Sequence, residues 1–163
     1  MNIRDLNSSD WDAVARIYGD GIATGNATFE TQIPSWNEWD KKYLQCCRLV
    51  AEFENKVIGF AVLSKVSNRS VYKGVAEVSV YVDTAHHGKG VGKKILKKLI
   101  EASENAGYWS LQAGIFPENT ASIALHESCG FRLVGIKERI GKLNGVWYDN
   151  YFMERRSEIV GIT

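Results

Sequence analysis

Residues 74–94 read GVAEVSVYVDTAHHGKGVGKK, and the rest of the chain is best interpreted outward from this segment. Its first part, Val75–Val82, is rich in valine at alternating positions, which is typical of a β-strand. A glycine-rich segment follows, and from Val91 to Ala106 apolar residues recur at helical spacing. The segment therefore predicts a strand, a tight loop and a long amphipathic helix in immediate succession.

The flanking segments predict further strands and helices. Strands are expected at Ile3–Leu6, Leu49–Phe53, Val57–Leu63, Ser110–Phe116, Phe131–Ile140 and Val146–Glu154. Helices are expected after two capping boxes, Ser9 with Asp12 and Ser35 with Glu38, and at Ala121–Ser128. Strands and helices in this order indicate an α/β or α+β sheet domain and exclude a helix bundle or a β-sandwich.

The composition indicates one domain without a strongly charged surface. The chain has 163 residues, and 20 Lys and Arg against 19 Asp and Glu leave a net charge of +1. This gives no broad cationic field for nucleic acid or an anionic membrane. No segment approaches the about 20 apolar residues of a membrane span, and the N-terminus does not resemble a signal peptide. Two of the three cysteines, Cys46, Cys47 and Cys129, are adjacent and all three cannot pair internally, which favours a reduced, cytoplasmic protein.

The glycine loop predicts an anion-binding site, because glycines allow close approach and a helix N-terminus offers unpaired N–H groups. A dinucleotide-binding fingerprint would need glycine at Lys93, and a P-loop would need Ser or Thr at Lys94. The remaining pattern is Arg/Gln-x-x-Gly-x-Gly/Ala, the pyrophosphate loop of acyl-CoA N-acyltransferases, with His87 at the Arg/Gln position. The alternative is a glycine turn that merely starts a helix. The expected pyrophosphate contacts are Gly88, Lys89, Gly90, Val91, Gly92 and Lys93.

Three segments extend the resemblance over nearly the whole chain, from about Trp11 to Arg156. They are Gly74–Val82, Phe116–Phe131 (FPENTASIALHESCGF) and Glu138–Asp149 (ERIGKLNGVWYD). The chain resembles the phosphinothricin / methionine sulfoximine acetyltransferase branch of the GNAT superfamily. The resemblance implies a single N-acetyltransferase domain over residues 1–163. Its fold would be a mixed, mostly antiparallel six- to seven-stranded sheet flanked by helices and splayed between strands 4 and 5. It also implies acetyl-CoA as co-substrate and a homodimer, and the scattered His and Cys positions predict no metal.

Glu77 is the candidate general base. The period of two of a strand places Glu77 on one face with Ser79 and Tyr81, and Val78, Val80 and Val82 on the other. A protonated ammonium group cannot attack a thioester, so the reaction needs a base, and a carboxylate among apolar residues tends to have a raised pKa. The alternative is an outward-facing charge on a half-solvated strand.

The resemblance implies further cofactor contacts. The main chain of Val80, Tyr81 and Val82 would bind the pantetheine arm as an added strand, and an N–H group would polarise the thioester oxygen. Asn119 would contact the pantetheine or acetyl end, although it is equally suited to cap the helix that starts near Ala121. Ser122, one turn further, is a weaker contact.

His126 shares a helix face with Ser122 and is the second catalytic candidate. It would protonate the departing thiolate or help to relay the proton of the amine. The alternative is a core histidine with satisfied hydrogen bonds.

Arg69 is the candidate clamp for a carboxylate or phosphinate of the acceptor, because a guanidinium group pairs with such anions bidentately. Its alternative is a solvated loop arginine. Phe29 is expected as an apolar wall over the acceptor, and Tyr72 and Trp147 as further wall, interface or core aromatics. Glu77, Val78 and Ser79 complete the expected acceptor contacts.

Together these features predict an acetyl-CoA-dependent N-acetyltransferase that acts by direct attack in a ternary complex. The expected acceptor is a small amino acid or analogue, such as phosphinothricin, methionine sulfoximine or arsinothricin. The alternatives are acetylation of another small amine or a peptide N-terminus, and a regulatory module that binds acyl-CoA without turnover.

Overall fold

Seven strands form one sheet with four helices against it in the computed structural model, which describes residues 1–163. The strands are β1 (Asn2–Asp5), β2 (Leu49–Phe53), β3 (Lys56–Lys65), β4 (Val75–Val82), β5 (Ser110–Ile115), β6 (Arg132–Leu143) and β7 (Val146–Arg156). The helices are α1 (Trp11–Ala23), α2 (Trp36–Lys42), α3 (Val91–Asn105) and α4 (Thr120–Glu127).

The sheet order is β1-β2-β3-β4-β5-β7-β6, and all neighbours are antiparallel except β4 and β5. These two strands run parallel and pair only over Val75–Glu77 and Ser110–Gln112. Strand β4 nevertheless stays paired with β3 as far as Val82. The sheet therefore opens between its fourth and fifth strands, which confirms the predicted fold class.

Two hydrophobic cores hold the sheet between the helices. Helix α3 buries Ile95, Leu96 and Leu99 against one face, which includes Val78 of β4. Helices α1 and α2 bury residues such as Trp39 against the other face, where Tyr81 of β4 packs at the margin of the core. The predicted alternation is confirmed, because Val78, Val80 and Val82 belong to the core under α3 whereas Tyr81 packs on the other face and Glu77 lies outside both cores.

Some predicted boundaries are wrong. The capping box Ser35–Glu38 is present, but the first one is formed by Asn7 and Asp10 instead of Ser9 and Asp12. Asp10 is held there because its carboxylate accepts the N–H of Asn7 at 2.9 Å and both terminal nitrogens of Arg4 at 2.8 and 2.9 Å. The first strand begins and ends one residue earlier than predicted.

Strand β6 differs most from its predicted range, Phe131–Ile140. It continues to Leu143, because its pairing with β7 resumes after a bulge. Lys137 is paired with Asn150, and the next registered pair is Gly141 with Tyr148. Within the bulge Arg139 has a positive φ of 42°, and its N–H donates to Asp149 at 2.8 Å. The bulge cannot be recognised from a period-two pattern.

None of the helices combines the length and the apolar character that crossing a lipid bilayer requires.

Candidate active site

The opening between β4 and β5 leads into a cavity of about 1030 Å³. Its floor is the second half of β4, from Glu77 to Val82. On the α3 side it is lined by the glycine loop and by the first residues of α3 and α4. On the α1 side it is lined by residues such as Phe29 and Tyr43. The cavity thus connects both faces of the sheet, so two ligands can meet at β4 from opposite sides.

The free edge of β4 offers main-chain hydrogen-bonding groups to this cavity. The carbonyl of Gly74 accepts N–H groups from Trp109 and Ser110 and so faces β5, whereas the N–H of Asp83 donates to Ile58 and faces β3. Main-chain groups alternate along a regular strand, and the pairing of β4 with β3 has no register shift. By this alternation Glu77 itself faces β3, so its pair with Gln112 uses the N–H of Val78. The carbonyl of Val78, both main-chain groups of Val80 and the N–H of Val82 face the cavity, whereas the carbonyl of Val82 accepts from His87.

Tyr81 differs from its neighbours in this respect. By the same alternation its main-chain groups face β3, where it is registered with Phe60. Its ring packs between those of Phe60 and Tyr18, with centroids 5.2 and 5.1 Å away. Tyr81 lines the cavity with its side chain. The geometry therefore does not favour the predicted main-chain contact between Tyr81 and the cofactor.

The glycine loop has the conformation that a phosphate cradle requires. Gly88 and Gly90 have φ values of 72° and 77°, a left-handed region that other residues enter only with strain. Gly90 is the N-cap of α3, so the first N–H groups of a 15-residue helix open onto the loop. Lys93 lines the cavity, whereas Lys89 is exposed and does not.

Gly92 lines the cavity and also allows close packing of its helix. An added Cβ would lie 3.1 Å from Leu125 Cδ2 and 3.6 Å from Val82 Cγ2. Gly92 therefore sets the close approach of α3 to α4 and β4.

His87, at the position where the family pattern has Arg or Gln, ties this loop to β4. Its Nε2 lies 2.8 Å from the carbonyl oxygen of Val82. Because a carbonyl can only accept, Nε2 must carry the proton and donate. The side chain thus fixes the loop against the strand from which the cavity edge is built.

Glu77 stands where the two strands separate. It is registered with Gln112 in the last pair between β4 and β5, and its side chain is open to the cavity. Protein walls nevertheless surround it, and this burial raises the pKa of the Glu77 carboxyl above its usual range, although the charges of Lys137 and Lys42 counteract the rise. The carboxylate is therefore reachable by a ligand and more basic than an ordinary surface glutamate.

Asn119 caps α4 and also holds a distant loop. Its Oδ1 accepts the N–H of Ser122 at 3.2 Å, and its Nδ2 donates to the carbonyl of Asn26 at 3.3 Å. Both Asn119 and Ser122 line the cavity on the α3 side. The capping alternative is thus present, and it leaves the side chain next to the predicted cofactor path.

His126 is buried, with 4% of its surface exposed, and has the contacts of a core histidine. Its Nδ1 donates to the Ser122 carbonyl at 2.7 Å, and its ring meets Phe131 edge-on at 5.1 Å. Burial lowers the pKa of the His126 imidazole, which favours the neutral form. It borders the cavity, but its role as an acid stays a prediction.

The structure brings only part of the predicted acceptor site together. Phe29, Val78 and Ser79 line the cavity, and the Phe29 ring packs on Phe116 with centroids 4.6 Å apart. Arg69 and Tyr72 lie outside the cavity lining, where the Arg69 guanidinium is 5.4 Å from the ring of Tyr72.

Trp147 is 54% exposed, with Lys142 Nζ 4.8 Å from its ring. The core alternative for this residue is therefore wrong.

Two cavity lysines, Lys42 at the end of α2 and Lys137 on β6, were not identified from the sequence. A lysine at a helix end or on a strand gives no signal of its own, because most such residues are solvated. The charge of each acts on Glu77, as the pKa of that carboxyl indicates. No group of three or more His, Cys, Asp and Glu side chains is arranged to hold a metal ion.

A mostly antiparallel sheet that opens beside a glycine loop at a helix N-terminus defines the class of acyl-CoA-dependent N-acyltransferases. Residues 11–131 match the family model described as "Acetyltransferase (GNAT) family", and the chain belongs to this family. The enzyme is therefore an acetyltransferase with acetyl-CoA as its co-substrate.

Similar proteins have been named for specific acceptors. The chain is 33% identical to phosphinothricin N-acetyltransferase of Alcaligenes faecalis, over 94% of this chain and 81% of that protein. It is 32% identical to L-methionine sulfoximine/L-methionine sulfone acetyltransferase of Salmonella typhimurium, over 94% and 93%. A phosphinothricin acetyltransferase from Sinorhizobium meliloti, solved in complex with AcCoA, superposes with a TM-score of 0.90 at 32% identity, over 99% of this chain and 91% of that one.

Proposed function

We propose that this acetyltransferase transfers the acetyl group of acetyl-CoA to the primary amine of a small amino acid or analogue of the phosphinothricin and methionine sulfoximine kind. The single observation that supports direct transfer is the position of Glu77. It lies beside the free edge of β4 in a cavity that opens on both faces of the sheet. The names of the similar enzymes support the acceptor class.

The cofactor would occupy the α3 side of the cavity. Its pyrophosphate would lie over the N-terminus of α3, held by the N–H groups that follow Gly88 and Gly90 and by the charge of Lys93. The pantetheine arm would pair with the free edge of β4 through the carbonyl of Val78, the main-chain groups of Val80 and the N–H of Val82. Asn119 and Ser122 would border the acetyl end.

The acceptor would approach from the α1 side. Glu77 takes a proton from its ammonium group, and the free amine attacks the thioester carbon. As the C–N bond forms, an N–H group of β4 stabilises the negative charge on the thioester oxygen. The C–S bond then breaks, the attacking nitrogen loses a second proton to give the amide, and the thiolate of CoA takes up that proton. Phe29, Val78 and Ser79 form the wall beside the amine.

We propose a homodimer because β6 and β7 present an apolar surface to solvent. Its exposed residues outside the cavity lining, here called the β6–β7 patch, are Leu133, Val134, Ile136, Val146 and Trp147. Apolar surface of this kind on an edge strand is usually covered by a partner. The three free cysteines support a cytoplasmic enzyme. One seven-stranded sheet that includes strands from both ends of the chain supports one catalytic domain over residues 1–163.

The function is tested by incubating the purified protein with acetyl-CoA and a panel of acceptors. The panel contains phosphinothricin, L-methionine sulfoximine, L-methionine sulfone, a polyamine and a peptide with a free N-terminus. Acetylated product should be measured by mass spectrometry, because Cys46 is exposed and would react with thiol reagents. We expect turnover of the amino acid analogues, with Arg69→Ala unchanged because Arg69 lies outside the cavity.

Other outcomes separate the alternatives. Turnover confined to the polyamine or the peptide would leave an acetyltransferase of different specificity. Tight binding of acetyl-CoA without any acetylated product would identify a sensor and overturn the proposal.

A further inference from the structure

Lys137 is a cation of the cavity without a carboxylate partner. It lies on β6 and lines the cavity on the acceptor side. It forms no salt bridge. Its ammonium group lies over the ring of Phe152, 4.6 Å from the centroid. A lysine that faces a ligand cavity in this way has its charge available for an anion.

The sheet fixes where Lys137 stands. It is registered with Asn150 of β7, and directly paired residues share one face of a sheet. Asn150 also lines the cavity and lies against β5, since its Oδ1 is 2.7 Å from the position of a Cβ on Gly114. The β6 bulge begins immediately after Lys137 and brings Gly141 against the ring of Phe29. Lys137 is thus held at the rim of the acceptor side by regular pairing on one side and a bulge on the other.

The other cations near the acceptor side are less suitable. Lys42 is paired with Glu30 at 3.3 Å. Arg69 lies outside the cavity, over Tyr72. Lys93 starts α3 and faces the cofactor side. Lys137 is the cavity lysine on the acceptor side whose charge is not already paired.

Lys137 and Glu77 complement the two charges of an amino acid. The cavity holds both side chains, and the positive charge of Lys137 lowers the pKa of Glu77 against the effect of burial, so its field reaches the carboxylate. An α-amino acid has an ammonium and a carboxylate group on the same carbon atom. With the ammonium group at Glu77, a carboxylate group must lie close by, where a cation stabilises it.

We propose that Lys137 binds the α-carboxylate of the acceptor and thereby restricts the enzyme to α-amino acids over amines that lack this group. The proposal rests on the acceptor class proposed above. It assigns a specificity-determining contact to a residue on β6, at a distance in sequence from the predicted Arg69.

The test compares two acceptors that differ only in the carboxylate: L-methionine sulfone and its decarboxylated analogue, 3-(methylsulfonyl)propylamine. Lys137→Gln should raise KM for L-methionine sulfone about 10- to 100-fold, the loss expected for a hydrogen bond between charged groups. It should leave KM for the amine and for acetyl-CoA unchanged. Lys137→Arg should retain most of the wild-type preference, because it keeps the charge.

Lys142→Gln is the matched control. Lys142 lies on the same strand with its ammonium over an aromatic ring, but outside the cavity lining. This variant should behave as wild type with both acceptors. Equal changes for the two acceptors in Lys137→Gln, or none for either, would overturn the assignment.

The role of Lys137 can also be tested if the proposed acetylation reaction is not observed. If the wild-type enzyme acetylates neither compound, calorimetric titration of L-methionine sulfone into CoA-saturated protein still decides the role of Lys137. Binding that is lost in Lys137→Gln and kept in Lys142→Gln supports it. Equal binding by both variants, or no binding by the wild type, contradicts it.

Discussion

Glu77 and Gln112 form the last registered pair between β4 and β5, and the cavity opens immediately beyond them. A parallel pair that ends in the middle of a sheet leaves one strand edge without a partner. Here that edge belongs to β4, which remains fixed by its antiparallel pairing with β3. The proposed general base and the unpaired main-chain groups are thus placed by the same interruption of the sheet.

Replacing Glu77 with glutamine should remove the base and keep the shape of the cavity. We expect kcat for amino acid acceptors to fall about 10²- to 10⁴-fold, the usual contribution of general base catalysis. Because the side chain faces the acceptor side, the Kd of acetyl-CoA measured by calorimetry should not change. An active Glu77→Gln enzyme would exclude Glu77 as the base.

The same substitution should stabilise the protein at neutral and alkaline pH. Burial raises the pKa of Glu77 in the folded state, so folding favours the protonated form. Stability is therefore lost as the pH rises from the unfolded pKa, about 4.3, through the raised folded pKa. Glutamine does not have this dependence. Urea unfolding at a series of pH values should give a difference between the two proteins that is absent below about pH 4, grows as the pH rises above the unfolded pKa and levels off once the pH exceeds the folded pKa.

Gly90→Ala should weaken cofactor binding as well as stability. A Cβ at Gly90 would meet no atom within 4 Å, but the φ of 77° strains any L-residue by about 1 to 2 kcal/mol. The added methyl group would also stand where a phosphate approaches the N-terminus of α3, so we expect a roughly tenfold rise in the Kd of acetyl-CoA.

Gly107→Ala is the control for this effect. Gly107 follows the opposite end of α3, has a φ of 88° and likewise has no atom within 4 Å of an added Cβ. It should lose similar stability in urea and keep the wild-type Kd. A wild-type Kd in Gly90→Ala would contradict the phosphate site.

The sequence was most informative where a residue type or a short pattern is found mainly in one kind of local structure. Strand β4 has the predicted ends, Val75 and Val82, because valines that alternate with polar residues are typical of a strand with one buried face. Positive φ at Gly88 and Gly90 fits the predicted loop for a similar reason. The capping box at Ser35 is also correct, since both of its hydrogen bonds are local in sequence.

The sequence did not indicate how residues far apart in the chain are placed relative to one another. Arg69 was chosen for its chemistry, but nothing in a loop pattern fixes which way the loop lies, and the structure places it outside the cavity. Lys137 was missed because its position depends on a bulge and on pairing with Asn150. The first capping box was assigned to Ser9 and Asp12. The residue that forms the box with Asn7 is Asp10, and the contact with Arg4 of β1 that holds Asp10 in place is not visible in the local sequence.

Asn119→Asp should separate the two roles of Asn119. Aspartate keeps the oxygen that accepts the N–H of Ser122 and loses the donor to Asn26. We expect Asn119→Asp to lose less unfolding free energy than Asn119→Ala, because only the alanine variant also loses the cap, which contributes about 1 kcal/mol. Both variants should bind acetyl-CoA more weakly. If Asn119→Asp keeps the wild-type Kd, the residue is a helix cap only.

Ile136→Glu should produce a stable monomer. Ile136 is 52% exposed in the β6–β7 patch, so a charge there costs the isolated chain little, but burying it between two copies would leave an unpaired carboxylate. Val71→Glu is the control, because Val71 is 61% exposed and lies outside this patch. Sedimentation should give a dimer for the wild type and Val71→Glu and half that mass for Ile136→Glu. A monomeric wild type, or a dimeric Ile136→Glu, would show that these strands do not join two copies.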